Sequence, residues 1–460
     1  MTPWNDAEEN AQLAHAALER GEWDAAIEHF DQALSVDPDR LSWRFEKGLA
    51  LDAVQRFDDA VEEFEQVFER VSDDLDVTLR LGVGLIRTGQ ASRAIEVLEQ
   101  AAELDPDSLE SYEYRIVAYG QLGDLEQAEL MFYLAQQLEP DSARGFDHMA
   151  HCLAIHGDLD RAVHCWERCL ALDPQHPDVQ ISLGRIHWHL GRLPAARNAF
   201  RDHLALSPHD AEARQDLGAI LLEMNRPREA ERELKRAVLE DAGLGAVWLM
   251  LGELAYRRGE LDEAQTRYTH ARDADATLPA VALGLARLAV ERGDTAEARR
   301  WLHVELRVEG QTAEQTLEMA RLLEDVDMPH AVVELLTPLI SGEDELLIET
   351  PAAFCRALVL RAEALRRLGE SEAAERELRL ARRLEPTGPA VLPLMRLLLE
   401  SGCWSRALVV AQSALRRVET EDSVHTEGQA LAEALEAGWR EAWREHRRAR
   451  RTRRWARLHR

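Results

Sequence analysis

Ten histidines and cysteines crowd one stretch of this chain: His148, His151, Cys152, His156, His164, Cys165, Cys169, His176, His187 and His189. Imidazole and thiolate are zinc ligands, and His148 and His151, spaced i,i+3, share one face of a helix. The cysteines speak against a single site. Cys169 stands where a small apolar residue recurs along the chain, and Cys152 and Cys165 fall near packing positions. Small buried cysteines are common. No metal and no cofactor is expected. Catalysis also lacks its frames: there is no nucleophile elbow, no glycine-rich phosphate loop and no HExxH. Aspartate and glutamate number 85, so a pair of carboxylates by itself singles out nothing. No enzyme is expected.

A second group with chemical potential closes the chain. Residues 438–460 hold ten arginines against two glutamates, with Trp439, Trp443 and Trp455 interleaved. The basic run proper is Arg447, Arg448, Arg450, Arg451, Arg453 and Arg454, followed by Trp455. Guanidinium groups pair with phosphate and tryptophan stacks on bases, so nucleic acid is one reading. A basic amphipathic helix on an anionic membrane is another. Docking on an acidic protein surface and a plain solubilising tail complete the set. The chain as a whole carries a formal charge of −30, which weakens any hold on a polyanion.

Composition narrows the class. Hydrophobic residues are 46% and charged residues 30%, the balance of a folding chain. Lys47 and Lys235 are the only lysines. An acidic, arginine-rich surface fits salt-adapted bacteria with GC-rich genomes; codon bias alone is the alternative. Five cysteines without a CxxC pair fit a reducing compartment. The start MTPWNDAEEN has no signal-peptide pattern, and no apolar run approaches a membrane span, so a cytoplasmic protein is expected.

The elements that would position these residues are set by a period. Pro38, Pro106, Pro140, Pro174 and Pro208 are separated by 34 residues or twice that. Twelve residues before each grid point lies an alanine, from Ala26 through Ala162 to Ala298. Eight before lies a large residue: Phe30, Phe64, Leu98, Phe132, Trp166, Phe200, Leu234, Tyr268 and Leu302. Five before, the residue is usually small, as at Ala33, Ala101, Ala135, Cys169, Ala237 and Ala271. Spacings of four and three place all three on one helix face. A turn glycine, such as Gly123 or Gly157, lies seventeen before and closes the preceding helix. Ten after the proline comes Gly48, Gly82, Gly184, Gly218 or Gly252, with Ala150 once. Glycine inside a helix costs about 1 kcal/mol against alanine, so its return predicts close approach of a partner helix.

These features resemble the tetratricopeptide repeat over nearly the whole chain. Trp248-x-x-Leu251-Gly252 followed by Ala264-x-x-x-Tyr268-x-x-Ala271 fits the family pattern, with Ala276 in place of its proline. The resemblance implies an all-α, right-handed superhelical solenoid of about twelve helix-turn-helix repeats. Ten repeats are expected over 1–346, an irregular joint at 347–354, two further repeats at 355–422, and a capping helix with the basic tail at 423–460. Pro338 should break the second helix of the tenth repeat.

The resemblance also implies that the first helices line a concave groove. Carried over, that groove holds Asp147, His148 and His151, then Arg185, Trp188 and His189, then Glu223, then Glu253, Tyr256 and Arg257. Its mixed charge and two aromatics suit a peptide. Family members that clamp a C-terminal carboxylate use lysine and asparagine there, and this groove has neither in useful number. The expected function is a non-enzymatic adaptor or scaffold binding a protein or peptide. The alternative is a nucleic-acid- or membrane-associated regulator acting through the tail on an anionic partner. No small-molecule substrate is expected.

Overall fold

The computed structural model describes residues 3–176, 178–308, 311–341, 351–386 and 388–418, with Arg440 and Arg444. Every regular element among them is an α-helix. They fall into two compact units, Met1–Met224 and Asn225–Arg460. The first holds α1 (Pro3–Glu19), α2 (Trp23–Val36), α3 (Leu41–Ala53), α4 (Phe57–Phe68), α5 (Leu75–Arg87), α6 (Ala91–Leu104) and α7 (Leu109–Leu122). It continues with α8 (Leu125–Leu138), α9 (Ala143–Ile155), α10 (Leu159–Leu172), α11 (Val179–His189), α12 (Leu193–Leu206) and α13 (Ala211–Glu223). The second holds α14 (Pro227–Glu240), α15 (Gly245–Arg257), α16 (Leu261–Ala274), α17 (Val281–Glu291), α18 (Thr295–Glu305) and α19 (Ala313–Asp325). It ends with α20 (Pro329–Ser341), α21 (Pro351–Arg367), α22 (Ser371–Leu384), α23 (Val391–Glu400) and α24 (Trp404–Val418). Twelve first helices, odd-numbered, alternate with twelve second helices.

Within each unit the helices pack as consecutive pairs, and each second helix also meets the first helix of the next pair. The repeat residues explain why. All nine grid alanines, Ala26 to Ala298, have no exposed surface. Phe30, Phe200, Leu234, Tyr268 and Leu302 have none either, and Phe64 and Trp166 retain 2%. Phe132 is only half-buried, packing edge-on against Phe146 with ring centroids 5.3 Å apart. Beneath Phe64, Leu98, Phe200 and Tyr268 lies a first-helix glycine. A Cβ on Gly184 would come within 2.6 Å of the Phe200 ring, and one on Gly252 equally close to Tyr268. The glycine makes room for the ring of the partner helix, and the ring fills the space between neighbours.

Turn chemistry follows the sequence closely. Gly157 closes α9 with φ +81°, in the left-handed region, and Asn225, Gln55 and Asp327 take the same conformation at other turns. The acidic residue that follows often starts the second helix. Asp124 accepts from the Gln127 amide at 3.1 Å, and Asp294 from Glu297 at 2.9 Å. Such a cap contributes about 1 kcal/mol.

One expectation is corrected. Pro338 does not break its helix, because α20 runs through it to Ser341. The proline stands in the last turn, where it removes only the hydrogen bond to the Glu334 carbonyl. Of the joint expected at 347–354, residues 347–350 lie outside the described residues, and Pro351 to Phe354 already form the first turn of α21. The expected capping helix and tail fall outside them too, except for Arg440 and Arg444.

The glycine seat yields a test. Gly184→Ala gains about 1 kcal/mol of helix propensity. It forces Phe200 off its position, at a cost of about 1–3 kcal/mol in a packed core. The expected net result is a lower urea midpoint; an unchanged or higher midpoint would show that the ring has room to move.

Candidate binding face on the first helices

Each first helix turns its apolar side to its second helix and keeps a polar side. On that polar side, residues one repeat apart meet. Arg144 of α9 reaches Glu110 of α7 at 3.1 Å, and His148 donates from Nδ1 to the Glu113 carbonyl at 3.1 Å. Gln121 of α7 donates to the Ile86 carbonyl of α5 at 3.1 Å, and Arg87 of α5 pairs with Asp52 of α3. Trp188 of α11 donates from its indole to Glu223 of α13 at 2.9 Å, and Arg185 pairs with Asp216 at 3.4 Å. The result in the first unit is a row of polar links from helix to helix.

The second unit repeats the arrangement with its own residues. Arg287 of α17 stands between Glu253 of α15, at 3.1 Å, and Glu318 of α19, at 2.7 Å. Its guanidinium lies 4.8 Å from the centroid of the Tyr256 ring, a cation–π contact. The Tyr256 hydroxyl donates to Glu291 at 3.3 Å. Further along, Arg367 pairs with Glu324 at 3.4 Å and Arg366 with Glu400 at 3.2 Å.

Two of the carboxylates expected in the groove also serve the core. Asp147 accepts from the Nε1 of Trp166 at 2.9 Å, and Glu253 accepts from the hydroxyl of Tyr268 at 2.7 Å. Trp166 and Tyr268 carry a polar atom at a position where phenylalanine or leucine stands elsewhere, and a buried donor needs an acceptor. Burial alone pushes the Asp147 carboxyl up. Hydrogen bonds from His151 and Trp166 and the charge of both neighbouring histidines outweigh it and hold the group below the usual range. Burial pushes His148 down, more than Asp147 and the Glu113 carbonyl raise it. His151 is exposed, 3.4 Å from Asp147 and edge-on to Trp166. His189, Arg257 and Glu223 are exposed, and Trp188, Tyr256 and Glu253 are half-buried.

Several side chains of the histidine–cysteine stretch serve packing and local hydrogen bonds. Cys152 and Cys169 are buried, and burial pushes their thiols up to about 11 and about 12. His156 closes onto the Cys152 carbonyl at 2.9 Å. Sequence reasoning missed Glu113, Asp216, Arg287, Glu291 and Glu318. Glu113 is fully buried, accepts from Ser142 at 2.5 Å and pairs with Arg144 at 3.2 Å. The signal that could have found several of them is the repeat step itself. Glu253 and Arg287 are 34 residues apart, and Trp188 and Glu223, like Tyr256 and Glu291, are 35 apart.

Models of the tetratricopeptide repeat match residues 12–74, 155–211 and 249–307, a second such model matches 53–114 and 195–254, and a third matches 356–379. The chain belongs to the tetratricopeptide repeat family. No curated protein matches it. Among solved structures, it is similar to the APC/C hetero-tetramer Cut9–Hcn1, at 13% identity over 93% of this chain and 96% of the other, with a TM-score of 0.43. The C-terminal part of a TPR repeat-containing protein from Cytophaga hutchinsonii shares 14% identity over 52% and 98%, with a TM-score of 0.44. YrrB, described as a TPR protein with an unusual peptide-binding site, shares 20% identity over 38% and 91%, with a TM-score of 0.32. No helix among the described residues of this tetratricopeptide repeat protein is long and apolar enough to cross a membrane.

The half-buried His148 predicts a pH effect. A folded-state value below the ordinary 6.5 means that the unfolded chain takes the proton first. The neutral-histidine contribution is present above 6.5 and is lost as pH falls through the lower folded value. His148→Gln is expected to flatten the dependence of urea stability on pH between about 7 and 5, by at most about 1.4 kcal/mol per pH unit. Identical slopes in the two proteins would refute this. Other titrating groups, including the Glu113 carboxyl that burial pushes up, cancel in the comparison.

Proposed function

We propose that this tetratricopeptide repeat protein is a non-enzymatic adaptor or scaffold that binds a protein or peptide along the polar side of its first helices. The observation that carries this reading is the row of inter-repeat links, which fixes Trp188 and Tyr256 half-exposed beside charged neighbours. A side chain already held in place loses little freedom when a partner arrives, which lowers the cost of binding. Aromatic anchors flanked by satisfied polar groups are the usual strong points of such contacts. Arg185, His151, His189 and Arg257 are exposed on these helices and offer donors to a partner's backbone and carboxylates. Asp147, His148, Glu223 and Glu253 act more by holding their neighbours in place.

The basic tail supports a second reading, contact with an anionic partner, because residues 438–460 invert the charge of an otherwise acidic chain. The two separate in one affinity capture from native lysate, followed by titration of the captured partner. Trp188→Ala with Tyr256→Ala is expected to weaken the partner by at least about tenfold, or ~1.4 kcal/mol. Replacing Arg447, Arg448, Arg450, Arg451, Arg453 and Arg454 by glutamine is expected to leave it within about threefold. The reverse pattern, with salt-sensitive binding lost only in the tail variant, would move the function to the tail.

A further inference from the structure

The outer face of α8 departs from the repeat. Leu130, Tyr133 and Leu134 stand at i, i+3 and i+4, on one side of the helix. One repeat earlier the same grid positions hold Glu96, Glu99 and Gln100, and one repeat later His164, Glu167 and Arg168. The other second helices from α2 to α18 carry a charged residue, histidine, asparagine or threonine at the positions of Leu130 and Tyr133. In α8, Leu130 keeps 45% of its surface exposed, Tyr133 58%, and Leu138, a turn further on, 39%. Leu134 is half-buried at the edge of the core. Single leucines scattered over a surface are ordinary; a stripe at helical spacing is not.

The rim of this stripe is acidic. Glu96 on α6, Glu126 on α8 and Glu167 on α10 are exposed and form no ion pair among the described residues. The arginines of the three helices are matched already: Arg93 pairs with Glu65, Arg161 with Glu129 at 2.6 Å and Arg168 with Asp141 at 2.9 Å. α8 has no lysine or arginine of its own. The Arg161–Glu129 pair shows α10 lying alongside α8, and the same repeat step sets α6 on the other side. Negative charge thus borders an uncovered apolar stripe on both sides.

We propose that the outer face of α8 docks a basic amphipathic helix of a partner protein. The partner's aliphatic stripe lies on Leu130, Tyr133 and Leu134, and its flanking lysines or arginines meet Glu96, Glu126 and Glu167. Apolar burial supplies the affinity, and the acidic rim selects the sign of the partner's charge. The tyrosine adds a rigid aromatic surface with a polar tip. Nucleic acid and an anionic bilayer are repelled by the same rim. A second copy of α8 would meet it acid against acid, so charge disfavours self-pairing. This face uses second-helix residues, distinct from the first-helix site, and does not rest on the function proposed for that site.

The test uses the full chain and a fluorescein-labelled helical peptide of leucine and lysine, with the leucines along one face, read by anisotropy. Leu130→Glu with Tyr133→Glu installs the residues that α4 and α6 carry at these positions, so the variant is expected to melt like the parent. It makes the face more acidic, yet it should weaken binding by at least about tenfold, because the apolar contact is lost. A peptide with serine in place of leucine keeps its charge and should weaken as much. Trp188→Ala with Tyr256→Ala should change binding by less than about threefold, which separates this face from the first-helix site. Equal or tighter binding by the glutamate variant overturns the site and leaves only attraction to an acidic surface. Equal binding by the serine peptide overturns the apolar docking. If the peptide binds only to the chain with the glutamine-substituted tail, the occupant is the chain's own basic segment and not a partner. A mass that rises with concentration for the parent but not for the glutamate variant makes this face a contact between copies and overturns the proposal.

Discussion

The structure rests on the closeness of two helices. The first and second helix of a repeat approach so tightly that a methyl group at Gly48, Gly82, Gly184 or Gly252 would overlap the side chain opposite. That approach is favoured where the first helix offers glycine or alanine, as at Gly184 or Ala150, and the second offers alanine four residues before a large side chain. Everything else in a unit is a consequence. The large residue cannot be covered by its own pair, so it is buried against the next first helix. Each repeat thereby completes its neighbour's core, and stability becomes a property of the stack.

The same closeness arranges the polar side. First helices that stack at a fixed step bring side chains one repeat apart into register. Where those side chains are complementary, as with Glu253, Arg287 and Glu318 or Trp188 and Glu223, they link the helices. Several of these groups are half-buried, so their pairing is worth more than that of an exposed ion pair, and leaving one partner unpaired costs more still. The charged second-helix pairs, such as Arg192 with Asp160 at 2.7 Å, are more exposed and contribute less.

The fold was legible because its signal is redundant. Nine alanines and nine large residues on one grid leave no other arrangement, and an individual lapse such as Ala276 does not blur it. The candidate site was legible only in part. Trp188 and Tyr256 stand out as aromatics on a polar face, and Glu223 shows its meaning once it is seen 35 residues from Trp188. Asp147 reads as a groove residue, yet its oxygen also serves the buried indole of Trp166, a fact set by the Trp166 rotamer. Pro338 reads as a helix breaker, but its place in the last turn makes it tolerable, and helix ends are not fixed by composition. Leu130 and Tyr133 read in the sequence as part of an apolar second helix; only the packed stack shows that they are left outside the core.

Sequence alone determined the repeat, the helix pairs, the turn conformations and the buried face, because these depend on residue type at a fixed spacing. Tertiary structure decided which polar groups pair across repeats, which carboxylates the core consumes, and which apolar side chains of α8 stay uncovered. Those outcomes depend on distances between helices, and a helical period specifies a face but not the neighbour that the face will meet.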